Sequence, residues 1–297
     1  MPRWFVSTRV HSVGGPVGPV EILDTDPPAG YQGDPEPDLL AAIRGHEVFF
    51  VTHGFEVNQM QGINNLSYWI NNLQIGNAVP IGMLWPGDCI LPIFVDYIAE
   101  GREAIQSGRL FADFLNTKFT GAASLCFASH SLGARVVLQT IAGLSADVTV
   151  RRVLLMAGAI DNDCLTGEYS AAAKKIGEIS ILASTKDDVL ALAFPLGNPL
   201  QGIIDRGHPY YHAALGREGP TQPCQGLCVH PNWQIPTTFG YGHHDYLPGE
   251  KLLADFPGSV DIPIDGQSPP IGTPQELDDP KQWKPAWSAA FASTRYK

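Results

Sequence analysis

The feature that most constrains the fold of this chain is the alternation of short apolar runs, rich in β-branched and aromatic residues, with longer amphipathic stretches. The apolar runs favour buried strands, and the amphipathic stretches favour helices that cover them. At 297 residues the chain is long enough for one large domain or two small ones, so the order of the elements decides between these. We predict a single α/β domain over residues 1–297, with a mostly parallel central sheet and helices on both faces.

Eight runs are predicted to be strands: residues 4–10, 20–23, 47–52, 80–85, 124–128, 150–157, 179–183 and 226–229. The first two are expected to pair as an antiparallel edge of the sheet. Helices are predicted at residues 59–74, 94–116 and 132–144, where apolar residues recur at spacings of three or four. Gly133, near the start of the third helix, permits a close approach to the neighbouring strand.

Two segments rich in proline and glycine interrupt this order, at residues 194–236 and 256–297. They lack the long periodic apolar patterns that identify helices and strands. We expect the first to be a lid or a substrate-binding insertion. The second is expected to be an irregular C-terminal tail.

Charge and hydropathy argue against several classes of function. The chain has 30 acidic and 19 basic residues, a formal net charge of −11, and so lacks the basic surface that nucleic acid phosphates require. Its first ten residues contain no secretory signal, and no run of about 18 apolar residues predicts a membrane span. We therefore expect no nucleic acid partner, no membrane span and a cytoplasmic location. The sequence leaves the oligomeric state open.

The sequence also argues against a cofactor. It contains no glycine-rich nucleotide fingerprint after a strand and no GxxxxGK[ST] run, which disfavours redox and phosphoryl-transfer chemistry. The five cysteines are odd in number, and Cys224 and Cys228, near His230, form one CxxxC pair without a second. A lone pair is weak support for a zinc site. We predict neither a metal nor another cofactor.

The run Ser129-His130-Ser131-Leu132-Gly133 is the strongest candidate for a functional turn. It joins a predicted strand to a predicted helix, and small residues stand two positions before and after Ser131. On a strained strand-to-helix turn the serine hydroxyl is exposed, and bulky neighbours at those positions would collide with the strand or the helix. We predict that Ser131 is a nucleophile, although Ser129 departs from the usual GxSxG pattern. The alternative is a serine-rich turn that only caps the helix.

A second turn, His53-Gly54-Phe55, follows the predicted strand at residues 47–52. A bend at Gly54 would expose the backbone amide of Phe55. Together with the amide of Leu132, it would form a two-amide oxyanion hole for the charge that develops when serine attacks a carbonyl. His53 itself is expected to be structural.

The base for this serine is expected late in the chain, after the acid. The candidates are His243 and His244, which follow Gly242 in a glycine-flanked loop. Such a loop can bring an imidazole to the serine hydroxyl. The adjacent glycine favours His243, and His244 is the alternative.

The acid that orients the imidazole is expected just beyond a strand that follows the nucleophile helix. Two turns meet this condition. The first follows residues 179–183 and contains Asp187 and Asp188, and the second follows residues 150–157 and contains Asp161 and Asp163. We favour Asp187, with the other three as alternatives. The alternative for an aspartate in either turn is a helix cap.

With these residues the chain resembles the α/β-hydrolase superfamily over about residues 45–250, in particular a bacterial lipase-like branch with a WPS-type motif. The matching motifs are Leu84-Trp85-Pro86-Gly87, where glycine replaces the serine, the nucleophile turn at residues 128–133, the strand end at residues 156–161 and the histidine loop at residues 243–246. The resemblance implies an α/β-hydrolase fold. It also implies a cofactor-free acyl hydrolase with serine, aspartate and histidine in that chain order.

From these residues we expect hydrolysis of a small-molecule carboxylic ester. His243 would take the proton of Ser131, an acyl-enzyme would form, and water would release the acid. Amide or thioester hydrolysis is an alternative, because the same groups support it. A catalytically silent, hydrolase-like binding protein is the alternative from another class, and a serine-directed phosphonate would fail to label it.

Overall fold

The computed structural model describes residues 3–29, 33–72, 77–88, 93–192, 194, 212–221, 233–234 and 241–246. The strands are β1 (Trp4–Arg9), β2 (Val17–Asp24), β3 (Glu47–Thr52), β4 (Val79–Leu84), β5 (Ser124–His130), β6 (Val150–Met156), β7 (Ile176–Ala183) and β8 (Trp233–Gln234). The helices are α1 (Glu36–Ile43), α2 (Gln59–Asn72), α3 (Ile93–Lys118), α4 (Gly133–Gly143), α5 (Ser170–Ala173), α6 (Asp188–Leu192) and α7 (Leu215–Glu218). Among the helices of the described residues, none combines the length and hydropathy needed to cross a bilayer.

Seven predicted strands and all three predicted helices are confirmed, with bounds that differ by a few residues. Helix α1 was not predicted, because its two turns follow Pro35 and carry little periodic pattern beyond buried Leu39 and Ile43. Strand β8 was not predicted either. The predicted strand at residues 226–229 lies outside the described residues.

The described strands form one eight-stranded sheet in the order β2-β1-β4-β3-β5-β6-β7-β8. As predicted, β2 is antiparallel to β1 at one edge, and the other neighbouring pairs are parallel. Pro19 lies in this outer strand, where a missing backbone donor is tolerated. Because parallel strands end at the same edge of a sheet, the turns that follow β3, β5, β6 and β7 meet there.

Helices cover both faces of the sheet. Residues of α1, α3, α4 and α5 join one buried cluster, in which the rings of Phe50 and Phe127 stack with centroids 5.2 Å apart. On the other face α2 contributes Leu66 and Trp69 to a second cluster, which also contains Tyr246. Full burial of a large apolar side chain contributes roughly 1.5–3 kcal/mol to stability. The two clusters therefore fix the sheet between two apolar layers.

Part of the segment predicted as a lid packs against the sheet. The amide of Gly216 in α7 donates to the carbonyl of Gly158 at 2.9 Å, and the amide of Ser184 donates to the carbonyl of Gly216 at 2.9 Å. Helix α7 therefore lies between the turns that follow β6 and β7. Most of the rest of residues 194–236, and the predicted tail at residues 256–297, lie outside the described residues.

Candidate active site

The turn after β5 holds Ser131 in a conformation that residues with a side chain rarely adopt, with φ of 53°. The amide of Ser131 donates to the carbonyl of Met156 at 3.0 Å, and its carbonyl accepts from the amide of Ala159 at 3.1 Å. Both partners belong to β6 or the turn after it. These hydrogen bonds to the neighbouring strand and turn therefore hold Ser131 in its strained conformation. The strand, turn and helix predicted around Ser131 are all present.

Two glycines allow the turns after β3 and β5 to touch. A Cβ on Gly54 would lie 2.7 Å from Cβ of Ser131, and a Cβ on Gly133 would lie 2.5 Å from the carbonyl oxygen of His53. Both distances are shorter than non-bonded contacts of a Cβ atom tolerate, so a side chain at either position would push the turns apart. Ser129, the departure from the usual glycine, is buried, and its hydroxyl has no hydrogen-bond partner among the described residues.

His243 lies between Ser131 and Asp187. Its Nε2 is 2.9 Å from Oγ of Ser131, and its Nδ1 is 2.7 Å from Oδ2 of Asp187. Since a carboxylate only accepts, Nδ1 carries the proton and Nε2 is free to accept the serine hydroxyl. All three residues are buried, with exposures of 7% for His243, 5% for Ser131 and 0% for Asp187. The arrangement can move a proton from the serine to the imidazole.

Asp187 lies in the turn between β7 and α6. Its Oδ1 accepts from the amide of Leu190 at 2.9 Å, while Oδ2 faces His243. One carboxylate oxygen therefore caps the helix and the other orients the imidazole, so both roles considered from the sequence are present together. Nη1 of Arg217, in α7, donates to the backbone carbonyl of Asp187 at 3.0 Å and fixes this turn from outside.

The other predicted acids lie in different surroundings. Asp188 is exposed in the first turn of α6. Asp161 forms an isolated antiparallel bridge with Ala214, and Oδ2 of Asp163 lies 3.7 Å from Nδ1 of His212. Asp187 is thus the predicted aspartate that the structure pairs with His243.

The histidine loop (residues 241–246) is attached to the sheet by side chains. Oγ of Ser184 donates to the carbonyl of Tyr241 at 2.6 Å, and Nε2 of His130 donates to the carbonyl of His243 at 2.7 Å. The rings of Tyr241 and Tyr246 meet edge-on with centroids 5.4 Å apart, and Tyr246 is fully buried. The loop is therefore held by two polar contacts to carbonyls and by two aromatic anchors.

Three imidazoles meet at this loop. The ring centroids of His130, His243 and His244 are 4.8 to 5.9 Å apart. Burial, and then the positive charges that His243 and His244 carry when protonated, hold the pKa of His130 well below its ordinary value of 6.5. His130 is therefore neutral at pH 7. His244 stands edge-on to His243, at 90°, and His243 is the one of this predicted pair that lies between Ser131 and Asp187.

The turn after β3 is braced by His53 and Trp85. Nδ1 of His53 donates to the carbonyl of Gly54 at 2.9 Å, and Nε1 of Trp85 donates to the carbonyl of His53 at 3.0 Å. The two rings stack with centroids 5.6 Å apart, and burial lowers the pKa of His53 to about 3. Neutral His53 supports the chain where it passes Phe55 and turns at Glu56, whose φ is 59°.

Arg9 holds the Trp-Pro segment in place. It is buried at the end of β1, and its Nη1 donates to the carbonyls of Trp85 at 2.7 Å and Val57 at 3.2 Å. Its Nη2 forms an ion pair with Asp88. One guanidinium thus connects β1, the turn after β4 and the chain that follows the turn after β3.

Sequence reasoning missed four residues that support the turns and loops of the candidate site: His130, Ser184, Arg217 and Arg9. His130 and Ser184 each adjoin a predicted site turn, so their position was a usable signal. Arg217 is distant in sequence from Asp187, and Arg9 is distant from Val57, Trp85 and Asp88, so no pattern in the neighbouring residues indicates these contacts.

Metal binding was also considered from the sequence. Within the part of the chain that the structure describes, no group of three or more histidine, cysteine, aspartate or glutamate residues is placed to hold a metal ion. Cys126 and Cys164 are buried free thiols, and burial raises the pKa of both. Cys224, Cys228 and His230 lie outside the described residues.

A family model described as "Alpha/beta hydrolase of unknown function (DUF900)" matches residues 38–221, more than half of the chain. The chain belongs to this family. The prediction of an α/β-hydrolase is thereby confirmed, both as a fold and as membership of the superfamily. The DUF900 match contains Phe55, Ser131, Leu132 and Asp187, whereas His243 lies beyond it. Placement in the branch with the WPS-type motif stays a prediction.

Two solved structures that are similar to this DUF900 member are an esterase and a phospholipase. Acetyl xylan esterase 1 from Thermoanaerobacterium sp. JW/SL YS485 is 12% identical, with 82% of this chain and 83% of that chain covered, at a TM-score of 0.35. Phospholipase PlaB from Legionella pneumophila, in complex with thio-NAD, is 17% identical at a TM-score of 0.22, with 40% of this chain covered. The chain spans 26% of that phospholipase. No curated protein matches the sequence.

Proposed function

We propose that this hydrolase cleaves a small-molecule carboxylic ester, with Ser131 as nucleophile, His243 as base and Asp187 as the acid that orients the base. The observation that carries the proposal is the continuous pair of hydrogen bonds from Oδ2 of Asp187 through His243 to Oγ of Ser131, at 2.7 and 2.9 Å. A serine hydroxyl is a weak nucleophile unless an adjacent base removes its proton. The buried histidine beside Ser131 supplies that base.

Acylation follows from this geometry. Nε2 of His243 accepts the proton as Oγ of Ser131 attacks the ester carbonyl carbon, and Asp187 stabilises the resulting imidazolium. The negative charge moves to the carbonyl oxygen, which the amides of Phe55 and Leu132 bind as the oxyanion hole. His243 then gives its proton to the leaving alcohol as the carbonyl re-forms. The acyl group stays on Ser131.

Deacylation repeats the same proton transfers with water. His243 removes a proton from a water molecule, and the hydroxide attacks the acyl carbonyl above the same two amides. The proton returns to Oγ as the carboxylic acid leaves. Each transfer uses a side chain of the triad, so the proposed reaction calls for no metal or organic cofactor.

Varying the leaving group tests which class of acyl compound the protein hydrolyses. The same triad can act on thioesters and amides, and these differ from esters in how far the leaving group must be protonated. An ester, a thioester and an amide with one common acyl group should be compared on the purified protein. Highest kcat/KM for the ester supports the proposal, and faster hydrolysis of the thioester or the amide contradicts it.

The nucleophile is tested by Ser131→Ala. Release of p-nitrophenol from short and medium acyl esters should fall on the order of 10⁶-fold in kcat, as expected for loss of a catalytic serine. Ser145→Ala is the matched control, because Ser145 is exposed and bonds Asn116 instead. Circular dichroism should show all three proteins folded. Retention of activity in Ser131→Ala would contradict the proposal.

A serine-directed phosphonate separates an enzyme from a silent binding protein. The probe should label the wild type at Ser131 and leave Ser131→Ala unlabelled, because only an activated serine attacks the phosphorus. A folded wild type that neither hydrolyses the acyl compounds nor reacts with the probe would favour a binding protein.

A further inference from the structure

The side chain of His130 connects the nucleophile turn to the histidine loop. His130 is the residue directly before Ser131, at the end of β5, and is 4% exposed. Its Nε2 is 2.7 Å from the backbone carbonyl of His243, the residue whose side chain accepts the proton of Ser131. Since a carbonyl only accepts, Nε2 of His130 carries the proton of this hydrogen bond.

We propose that His130 is a positioning residue that holds His243 against Ser131 by donating this hydrogen bond to its backbone carbonyl. The inference rests on the proposed function, in which His243 is the base. His130 does not touch the reacting atoms. It acts by fixing the peptide that carries the base.

The hydrogen bond from His130 differs from the other contacts of the histidine loop in the residue that it reaches. Ser184 holds the carbonyl of Tyr241, two residues earlier, and Oδ2 of Asp245 accepts from the amide of Gly242 at 2.6 Å inside the loop itself. Among the described residues, only His130 forms a hydrogen bond with the backbone of His243. A shift of that carbonyl would move the imidazole with it.

His130 is itself held rigidly. It belongs to β5, in the centre of the sheet, and a Cβ on Gly54 would lie 3.3 Å from its Nδ1, so the ring is packed against the turn after β3. Burial holds its pKa well below 6.5, so the ring stays neutral. A fixed, neutral donor can position a loop without adding charge beside the imidazolium that forms on His243.

The test uses two amide variants that differ in reach. In His130→Gln the amide nitrogen is three bonds from Cβ, as Nε2 is in histidine, and can still donate to the carbonyl of His243. In His130→Asn the amide nitrogen is one bond too short. Both variants are neutral and polar, so the pair isolates the hydrogen bond from the general effect of changing a buried residue.

We expect His130→Asn to lower kcat on p-nitrophenyl esters about 10–100-fold, with KM within about twofold, because a small misplacement of a catalytic group costs rate rather than binding. His130→Gln should restore most of kcat. Thr140→Val is the control, because Thr140 donates to the carbonyl of Val136 within α4, away from the loop. Equal kcat in the two amide variants, whether high or low, overturns the proposal.

Hydrogen exchange of residues 241–246, followed by mass spectrometry, gives a readout that needs no substrate. Exchange in this loop should rise in His130→Asn and stay near the wild-type level in His130→Gln and Thr140→Val. If the wild type hydrolyses no acyl compound, the proposed function fails, and exchange alone decides whether His130 holds the loop. His130→Thr, whose polar atom is also short of the carbonyl, replaces His130→Asn if that variant does not fold.

Discussion

The nucleophile turn and the histidine loop present their side chains to each other, but they are built in different ways. Ser131 stands between β5 and α4, and its backbone is bonded to Met156 and Ala159 in the neighbouring strand and turn. The loop that carries His243 is instead attached through side chains that reach its carbonyls. The first is fixed by regular secondary structure, and the second by individual contacts between distant parts of the chain.

This difference predicts which kind of substitution damages each half of the site. Around the nucleophile turn, glycines permit a contact that any side chain would prevent, so added volume is harmful. Around the histidine loop, polar side chains supply the contacts, so the loss of a donor or an acceptor is harmful. Substitutions of both kinds should reduce activity for different physical reasons.

Asp187→Asn should have the largest effect on the histidine side. An amide nitrogen facing Nδ1 of His243 would favour the tautomer whose Nε2 carries the proton and cannot accept one from serine, so kcat should fall by about 10⁴-fold. The amide oxygen can still accept from Leu190 and cap α6. Asp188→Asn, at the exposed next position, is the control and should retain kcat within about twofold. Ester kinetics that place Asp187→Asn within tenfold of the wild type would refute this role.

Gly54→Ala should have a smaller effect, on the nucleophile side. The new Cβ would lie 2.7 Å from Cβ of Ser131 and would push the amide of Phe55 out of the proposed oxyanion hole, so kcat should fall on the order of 10²–10³-fold. Gly121→Ala is the matched control, because its Cβ would meet Arg44 only at 3.9 Å. Ester kinetics on both variants check this. An active Gly54→Ala would mean that the turns after β3 and β5 can separate without cost.

Ser129→Ala should have the smallest effect, because it removes volume from the nucleophile turn instead of adding it. The Ser129 hydroxyl is buried without a partner among the described residues, so its removal is expected to leave the free energy of unfolding unchanged or to raise it by up to about 1 kcal/mol. Thr52→Val, which removes a hydroxyl bonded to the carbonyl of Met83 at 3.0 Å, should instead lower it by about 1 kcal/mol. Urea unfolding measures both. A loss above about 1 kcal/mol in Ser129→Ala would show that this hydroxyl has a partner.

The elements around the nucleophile were predictable because their signals are local. The apolar run of β5, the small residues around Ser131 and the apolar face of α4 lie within 20 consecutive residues. The edge pairing of β1 with β2 was predictable for the same reason, since the two strands are adjacent in the chain. Helix α1 is short and follows proline, so its pattern was too weak to identify.

The sequence reduced the number of candidate partners for the nucleophile, but it did not identify the acid and the base. Four aspartates and two histidines stood at suitable positions, and the spacing along the chain does not say which side chains meet. Asp187 and His243 are 56 residues apart, and their pairing depends on how the turn after β7 packs against the histidine loop. The support from His130 and Arg217 depends on the same packing.

By itself, the sequence determined the α/β alternation, the α/β-hydrolase superfamily and the turn that presents Ser131, because each rests on short motifs whose residues are close together in the chain. Only the tertiary structure decided that Asp187 and His243 stand in line with that serine, that one carboxylate contacts both α6 and the imidazole, and that His130 donates to the carbonyl of His243. The reason is physical: hydrogen bonds and burial act over a few ångströms in space, and the assembly of the parallel sheet brings these residues to one edge from distant parts of the chain.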